Sequence, residues 1–175
     1  MSIAFLASGN LVSASEDHTI RVWNPAQGEM LRSLTGHANS VRCLLVLSTG
    51  ELASGSDDKT VRIWNLESGE QVRLLHGHTK PIWDMYTDAN HRLASASADK
   101  TVRIWNLRHV RNNRILRGHT GEVLAVTILP GGQIASGSDD HTVRVWTSYR
   151  GNGHRILLGH VSSVASSQSA KWLPG

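Results

Sequence analysis

One interval organises this sequence. Trp23, Trp64, Trp105 and Trp146 stand 41 residues apart, and Gly36-His37, Gly77-His78, Gly118-His119 and Gly159-His160 repeat at the same spacing. Asp17, Asp58, Asp99 and Asp140 keep it as well. The residues leading to each repeated Trp read SEDHTIRVW, SDDKTVRIW, SADKTVRIW and SDDHTVRVW. Three landmarks locked to one period require a row of like units, each packed against its neighbours.

Within a unit the pattern is that of short strands. In the second, VRCLLVL reads as an apolar first strand, STG as a turn, and ELASGS as a second strand. A DDK turn then leads to TVRIWN, and LESGE turns into QVRLLHG. Thr, Val and Ile fill the strand positions, whereas Gly, Ser, Asp and Asn mark the turns. No segment sustains a helical period, so the chain is expected to be all-β. Six Trp beside one Phe and two Tyr point to a fixed, repeated duty for Trp.

With a Gly-His opening and a Trp-Asn or Trp-Thr close, the units resemble the WD40-repeat family. Asn24, Asn65, Asn106 and Thr147 stand where that family's eponymous Asp would be. The resemblance covers residues 1–164 and implies a β-propeller of four-stranded blades, with about four present. Blades are expected near 1–35, 36–76, 77–117 and 118–158, with a fifth unit starting at 159–164 and a non-repeat tail over 165–175. The first unit holds Ser15, Asp17 and Trp23 without a His, and Gly159-His160 begins a unit that ends by Val164; Trp172 is outside the Trp series. WD rings resemble seven blades more often than four. Three arrangements fit: part of a longer propeller, two copies closing an eight-blade ring, or a small four-blade ring.

A Ser, a His and an Asp close to one another suggest a hydrolase triad. Here the set recurs unit by unit as His37, Ser56, Asp58, Trp64, as His78, Ser97, Asp99, Trp105, and as His119, Ser138, Asp140, Trp146. An enzyme has little use for several identical nucleophile sites, so no residue is expected to be catalytic. The family resemblance implies instead a buried chain from the Trp indole through Ser and His to Asp. Ser54 and Ser56 share a strand face, and either could be the serine of the second unit. His76 and His78 have a strand-like spacing, but no carboxylate cluster matches them, so no metal is expected. Phosphate-cradling GxxxxGK loops are absent, and no cofactor is expected.

Specificity should lie where the units differ. The family resemblance places partner contacts on the face bearing the Gly-His loops and the Asp turns. Two sets of varied positions fall there: Arg42, Trp83 and Leu124 just inside the first strands, and Glu16, Asp57, Ala98 and Asp139 before the turn Asp. Trp83 lies outside the Trp period, and Trp and Arg dominate interface hot spots. The alternative for Trp83 is packing between neighbouring blades. Arg21, Arg62, Arg103 and Arg144 repeat with the blade and read as structural or exposed.

The third unit adds Arg108, His109, Arg111, Arg114 and Arg117. These read as a solvated rim, and the lack of stacking aromatics argues against nucleic acid. LASASADKTVRIWNLR, residues 93–108, resembles the motif of WD proteins that act as substrate receptors for cullin-RING ubiquitin ligases, with Arg108 as its distinguishing residue. The formal net charge is +4, with no run long enough to span a membrane and no basic n-region before the opening apolar residues. Cys43, the single cysteine, excludes an intramolecular disulfide. The expectation is a non-catalytic scaffold in the cytosol or nucleus. Its partners are proteins or peptides rather than nucleic acid or membrane, and self-association could complete the ring.

Overall fold

A computed structural model describes residues 2–108, 113–147 and 153–158. They form four antiparallel sheets, each a four-strand meander. The first holds β1 (Ile3–Phe5), β2 (Leu11–Ala14), β3 (Ile20–Asn24) and β4 (Glu29–Leu34). The second holds β5 (Val41–Val46), β6 (Leu52–Ser56), β7 (Val61–Trp64) and β8 (Gln71–Leu75). The third holds β9 (Ile82–Thr87), β10 (Arg92–Ser97), β11 (Val102–Asn106) and β12 (Arg114–Leu116). The fourth holds β13 (Val123–Ile128), β14 (Ile134–Ser138), β15 (Thr142–Thr147) and β16 (Gly153–Leu158). Among the described residues there is no helix. The all-β expectation, with four-stranded blades, is met.

The β2–β3 type of hairpin is closed by side chains rather than by glycine. In the second sheet Lys59 N–H donates to Ser56 O, and Lys59 takes a left-handed φ of 71°. Lys100 and His141 do the same at the equivalent turns, and His18 takes the left-handed φ as well. A non-glycine residue is disfavoured there. The Asp before it compensates: Asp58 Oδ1 accepts from the Thr60 N–H at 2.9 Å and the Thr60 hydroxyl at 2.6 Å. Such Asx-type bonding is why Asp and Thr flank the turn in every unit.

The sheets pack face to face in chain order through three apolar clusters. Val12, Ile20, Val22 and Leu34 of the first sheet meet Val41, Leu44, Leu52 and Trp64 of the second. Ala53, Val61, Ile63 and Leu75 meet Ile82, Met85, Leu93 and Trp105. Ala94, Ala96, Val102 and Leu116 meet Val123, Val126, Ile134 and Trp146. The same register positions thus build each interface: one sheet offers small and β-branched residues, and the next inserts its Trp. A buried Trp removes about 150–250 Å² from water and dominates such a contact. The arc is not closed into a ring, so among the described residues the outer faces of the first and fourth sheets have no neighbour of this kind.

Two buried polar groups sit inside the second and third sheets. Asp84 accepts from the Val126 N–H at 2.9 Å, but burial outweighs that bond and the one from Met85 N–H, and raises its carboxyl above the ordinary range. Burial, and then the Asp84 charge, push the Cys43 thiol far up, so Cys43 is an inert, protonated core residue. Asp84 faces no ion-pair partner among the described residues.

Backbone shape gives a test of the repeat. Gly77 has φ +154°, and a Cβ there would run into the Arg103 guanidinium. Gly131 meets nothing within 4 Å and has no such φ. Gly77→Ala is expected to lower unfolding free energy by about 1–3 kcal/mol, with Gly131→Ala within about 0.5 kcal/mol of the parent. Denaturant melts of the two variants measure the difference. Asp84→Asn keeps the acceptor and removes an unpaired buried charge, and should raise the melting temperature at pH 7.

Candidate functional site

The three complete sheets carry the same hydrogen-bond chain. Trp64 Nε1–H donates to Ser54 Oγ at 2.8 Å, and Ser54 lies 2.7 Å from His37 Nε2. His37 Nδ1 is 2.7 Å from Asp58 Oδ2. An indole only donates, so Ser54 accepts it and directs its own proton to Nε2, leaving Nδ1–H to donate to Asp58. Trp105, Ser95, His78 and Asp99 repeat the chain at 2.9, 2.8 and 2.8 Å. Trp146, Ser136, His119 and Asp140 repeat it at 2.8, 2.9 and 2.8 Å.

The serine is therefore Ser54, Ser95 or Ser136, which corrects the assignment to Ser56, Ser97 and Ser138. Register decides the point. Leu52 lies opposite Trp64 and Ser54 opposite Arg62, so the indole reaches across β6 at mid-strand. Ser56 sits at the strand end, where its hydroxyl donates to Asn39 O and accepts the Asp58 N–H. Ser97 makes the matching pair of bonds with Lys80 O and Asp99 N–H, and Ser138 accepts from Asp140 N–H. Both serines serve the same hairpin, one inside it and one at its turn.

These sites are shut to substrates. Ser54 and Ser95 are fully buried and Ser136 is nearly so. Each hydroxyl already has both a donor and an acceptor. Among the described residues, no three His, Cys, Asp or Glu side chains converge as metal ligands would. Burial pushes the Asp58 and Asp99 carboxyls up, and the bonds from His, Thr and the following backbone N–H more than reverse it, holding both well below the usual range. Asp140 is held down in the same way, with Thr142 the leading donor.

The repeated Arg completes the device. Arg103 Cζ lies 5.8 Å from the centre of the Trp105 ring, and Arg144 Cζ 5.9 Å from that of Trp146. Both guanidinium groups lie so close to Gly77 and Gly118 that a side chain there would collide with them. Gly77 and Gly118 thus make room for the Arg that covers the Trp. In the first sheet, where no described His stands in the place of His37, Trp23 still donates to Ser13 at 2.8 Å, but Arg21 turns to Asp17 at 2.7 Å instead. The Thr19 bonds, aided by Ser15 and Arg21, hold the Asp17 carboxyl down to about 2.

Where the Gly-His connections enter the sheets, a second arrangement appears. Val41 pairs with Ser56 but Cys43 with Gly55, so Arg42 is an extra residue in the ladder. Trp83, between Ile82 and Asp84, and Leu124, between Val123 and Ala125, are extra in the same way. A bulge frees a residue from the alternation and re-aims its side chain. Arg42 grips Asp57, with Nε 3.0 Å from both carboxylate oxygens and Nη2 2.6 Å from Oδ2. Its guanidinium lies 3.5 Å from Glu16 Oε1 and 5.8 Å from the Trp83 ring centre. Trp83 Nε1–H in turn donates to Glu122 Oε2 at 2.9 Å. Glu16, Arg42 with Asp57, Trp83 and Glu122 thus form one string of contacts across all four sheets.

The other expected contact positions divide. Leu124 is half-buried, and Asp139 is exposed with its N–H bonded to Glu122 O. Ala98 is buried, its N–H bonded to Pro81 O, and presents no surface. Trp83 touches both neighbouring sheets through polar contacts and is absent from the apolar clusters. Glu122 went unrecognised in the sequence because it precedes the strand; its signal is a carboxylate where the other units have Ser40 and Pro81. Arg108 is exposed on the turn after β11, its N–H bonded to Asn106 Oδ1. Asn65 Oδ1 likewise accepts from the Glu67 and Ser68 N–H groups, a role that needs only an acceptor and so suits Asn as well as Asp. Arg114 and Arg117 are exposed. His109, Arg111, Gly159, His160, Val164 and Trp172 lie outside the described residues.

A family model described as WD domain, G-beta repeat matches residues 1–24, 28–65, 69–106 and 111–147. Among characterised sequences, the mitochondrial division protein 1 of Mycosarcoma maydis is 55% identical over 38 residues, which are 22% of this chain and 5% of that protein. An uncharacterized WD repeat-containing protein of Schizosaccharomyces pombe is 45% identical over 38 residues, 22% of this chain and 10% of its own length. Both matches therefore span a small part of much longer relatives.

Asp99→Ala leaves the His78 ring and the Thr79 and Thr101 N–H groups without their acceptor, and should cost at least about 1–3 kcal/mol in a thermal or urea melt. The pH dependence has a definite sign. The folded-state values of Asp58, Asp99 and Asp140 are depressed, so their stabilisation is complete above the ordinary Asp value of about 3.9 and is lost as pH falls below it towards the folded values. Acid melts of Asp99→Ala should show a shallower loss over that range than the parent.

Proposed function

Because the chain belongs to the WD40-repeat family, whose members generally bind other proteins, we propose that it is a non-catalytic scaffold that holds a protein or peptide partner on the rim around Trp83. What supports the reading is the string from Glu16 through Arg42 and Trp83 to Glu122. It sets a Trp and an Arg, the side chains that most often anchor interfaces, on bulges at the face where the sheets differ. The repeated residues hold the sheets together, and the unrepeated ones are left for recognition.

The charges on this face are mixed: Glu16, Asp57, Glu122 and Asp139 stand with Arg42, and the exposed Lys59, Lys80 and Lys100 lie on the same loops and turns. The cytosol or nucleus is the proposed setting. A second reading, a substrate receptor of a cullin-RING ubiquitin ligase, draws on residues 93–108 and on the exposure of Arg108. It predicts co-purification with a ligase adaptor that is lost in Arg108→Ala.

For the leading reading, partners are captured from cell extract by the parent chain and by Trp83→Ala, and identified by mass spectrometry. The variant should keep the parent's circular dichroism and lose the specific partner, a weakening of about 2 kcal/mol or more once the affinity is measured. If Trp83→Ala unfolds, Trp83 is a packing residue; if it folds and retains the same partners, the rim is not the binding site.

A further inference from the structure

The two outer faces of the arc are the two halves of an interface that the molecule already builds three times. Leu44, Leu52 and Trp64 are at most 1% exposed against the first sheet. One period earlier, Ile3, Leu11 and Trp23 occupy the same register positions, and Ile3 is 64% exposed while Leu11 and Trp23 are half-buried. Phe5 beside them is 75% exposed. At the other end, Ala135, Val143, Val145 and Leu157 match Ala53, Val61, Ile63 and Leu75. That second-sheet set is no more than 9% exposed beneath Trp105, whereas Leu157 is 51% exposed and the other three are half-buried.

We propose that these faces take each other, so that the fourth sheet of one copy packs on the first sheet of a second copy, head to tail. Continuity with the interior interfaces identifies the occupant. The face of Val143, Val145 and Leu157 has the small and β-branched surface that receives a Trp-bearing sheet elsewhere in the chain, and the face of Ile3, Leu11 and Trp23 is such a sheet. An uncovered apolar patch of this kind on a soluble domain marks an interaction surface. The contact is heterologous, since each copy contributes a different face. It is separate from the Trp83 rim and does not rest on the partner-binding reading.

Sedimentation of the purified chain over a range of concentrations tests this. Species heavier than one chain are expected, growing with concentration. Phe5→Glu and Leu157→Glu each place a charge on one exposed face and should leave the fold intact by circular dichroism. Each alone should sediment as a single chain. Mixed in equal amounts they should form a two-chain species, because one intact face of each kind is then present. A parent chain that stays single at every concentration overturns the proposal, as it would if these faces are covered only by further sheets of a longer polypeptide. Association that survives in either variant alone also overturns it, because it would then use some other surface.

Discussion

A Trp N–H buried in an apolar interface needs an acceptor, and in each complete sheet Ser54, Ser95 or Ser136 supplies it. That demand propagates. The serine must send its proton onward to His, and His must be held by an ionised Asp. The Asp sits in a turn whose left-handed residue it also stabilises. One chain of bonds therefore couples the inter-sheet connection, the mid-strand serine, the hairpin turn and the inter-sheet packing. Leaving any buried member unpaired costs about 1–3 kcal/mol, and the chain occurs three times among the described residues.

The first sheet shows the chain with one member fewer among the described residues. Trp23 keeps its serine, and Asp17, with no described His against it, bonds Arg21. That Arg position covers the Trp in the third and fourth sheets, where Arg103 and Arg144 lie over the ring.

Most of the fold was legible because the period of Trp23, Trp64, Trp105 and Trp146 carries both the unit and its number. The choice between Ser54 and Ser56 was not. Two serines two residues apart face the same side of a strand, and only the pairing of Leu52 with Trp64 places the indole beside the inner one. The bulges at Arg42, Trp83 and Leu124 were invisible for a related reason: a single extra residue leaves no mark in a run of apolar side chains. The positions on this face were nevertheless singled out by what the family resemblance implies and by their variation between units, except Glu122, which lies just outside the strand. Ala98 varied as well, but its small side chain is buried and offers nothing to a partner.

The bulges carry a consequence for how such a molecule could diversify. Arg42, Trp83 and Leu124 are the residues that the hydrogen-bond ladder passes over, so the side chains that Arg42 and Trp83 answer to are other unrepeated ones, Asp57 and Glu122. Substitution there is screened from the period that builds the sheet. A lineage could exchange one recognition surface for another at these points while inheriting its architecture unchanged, and duplication of a unit would deliver a fresh variable position with every copy.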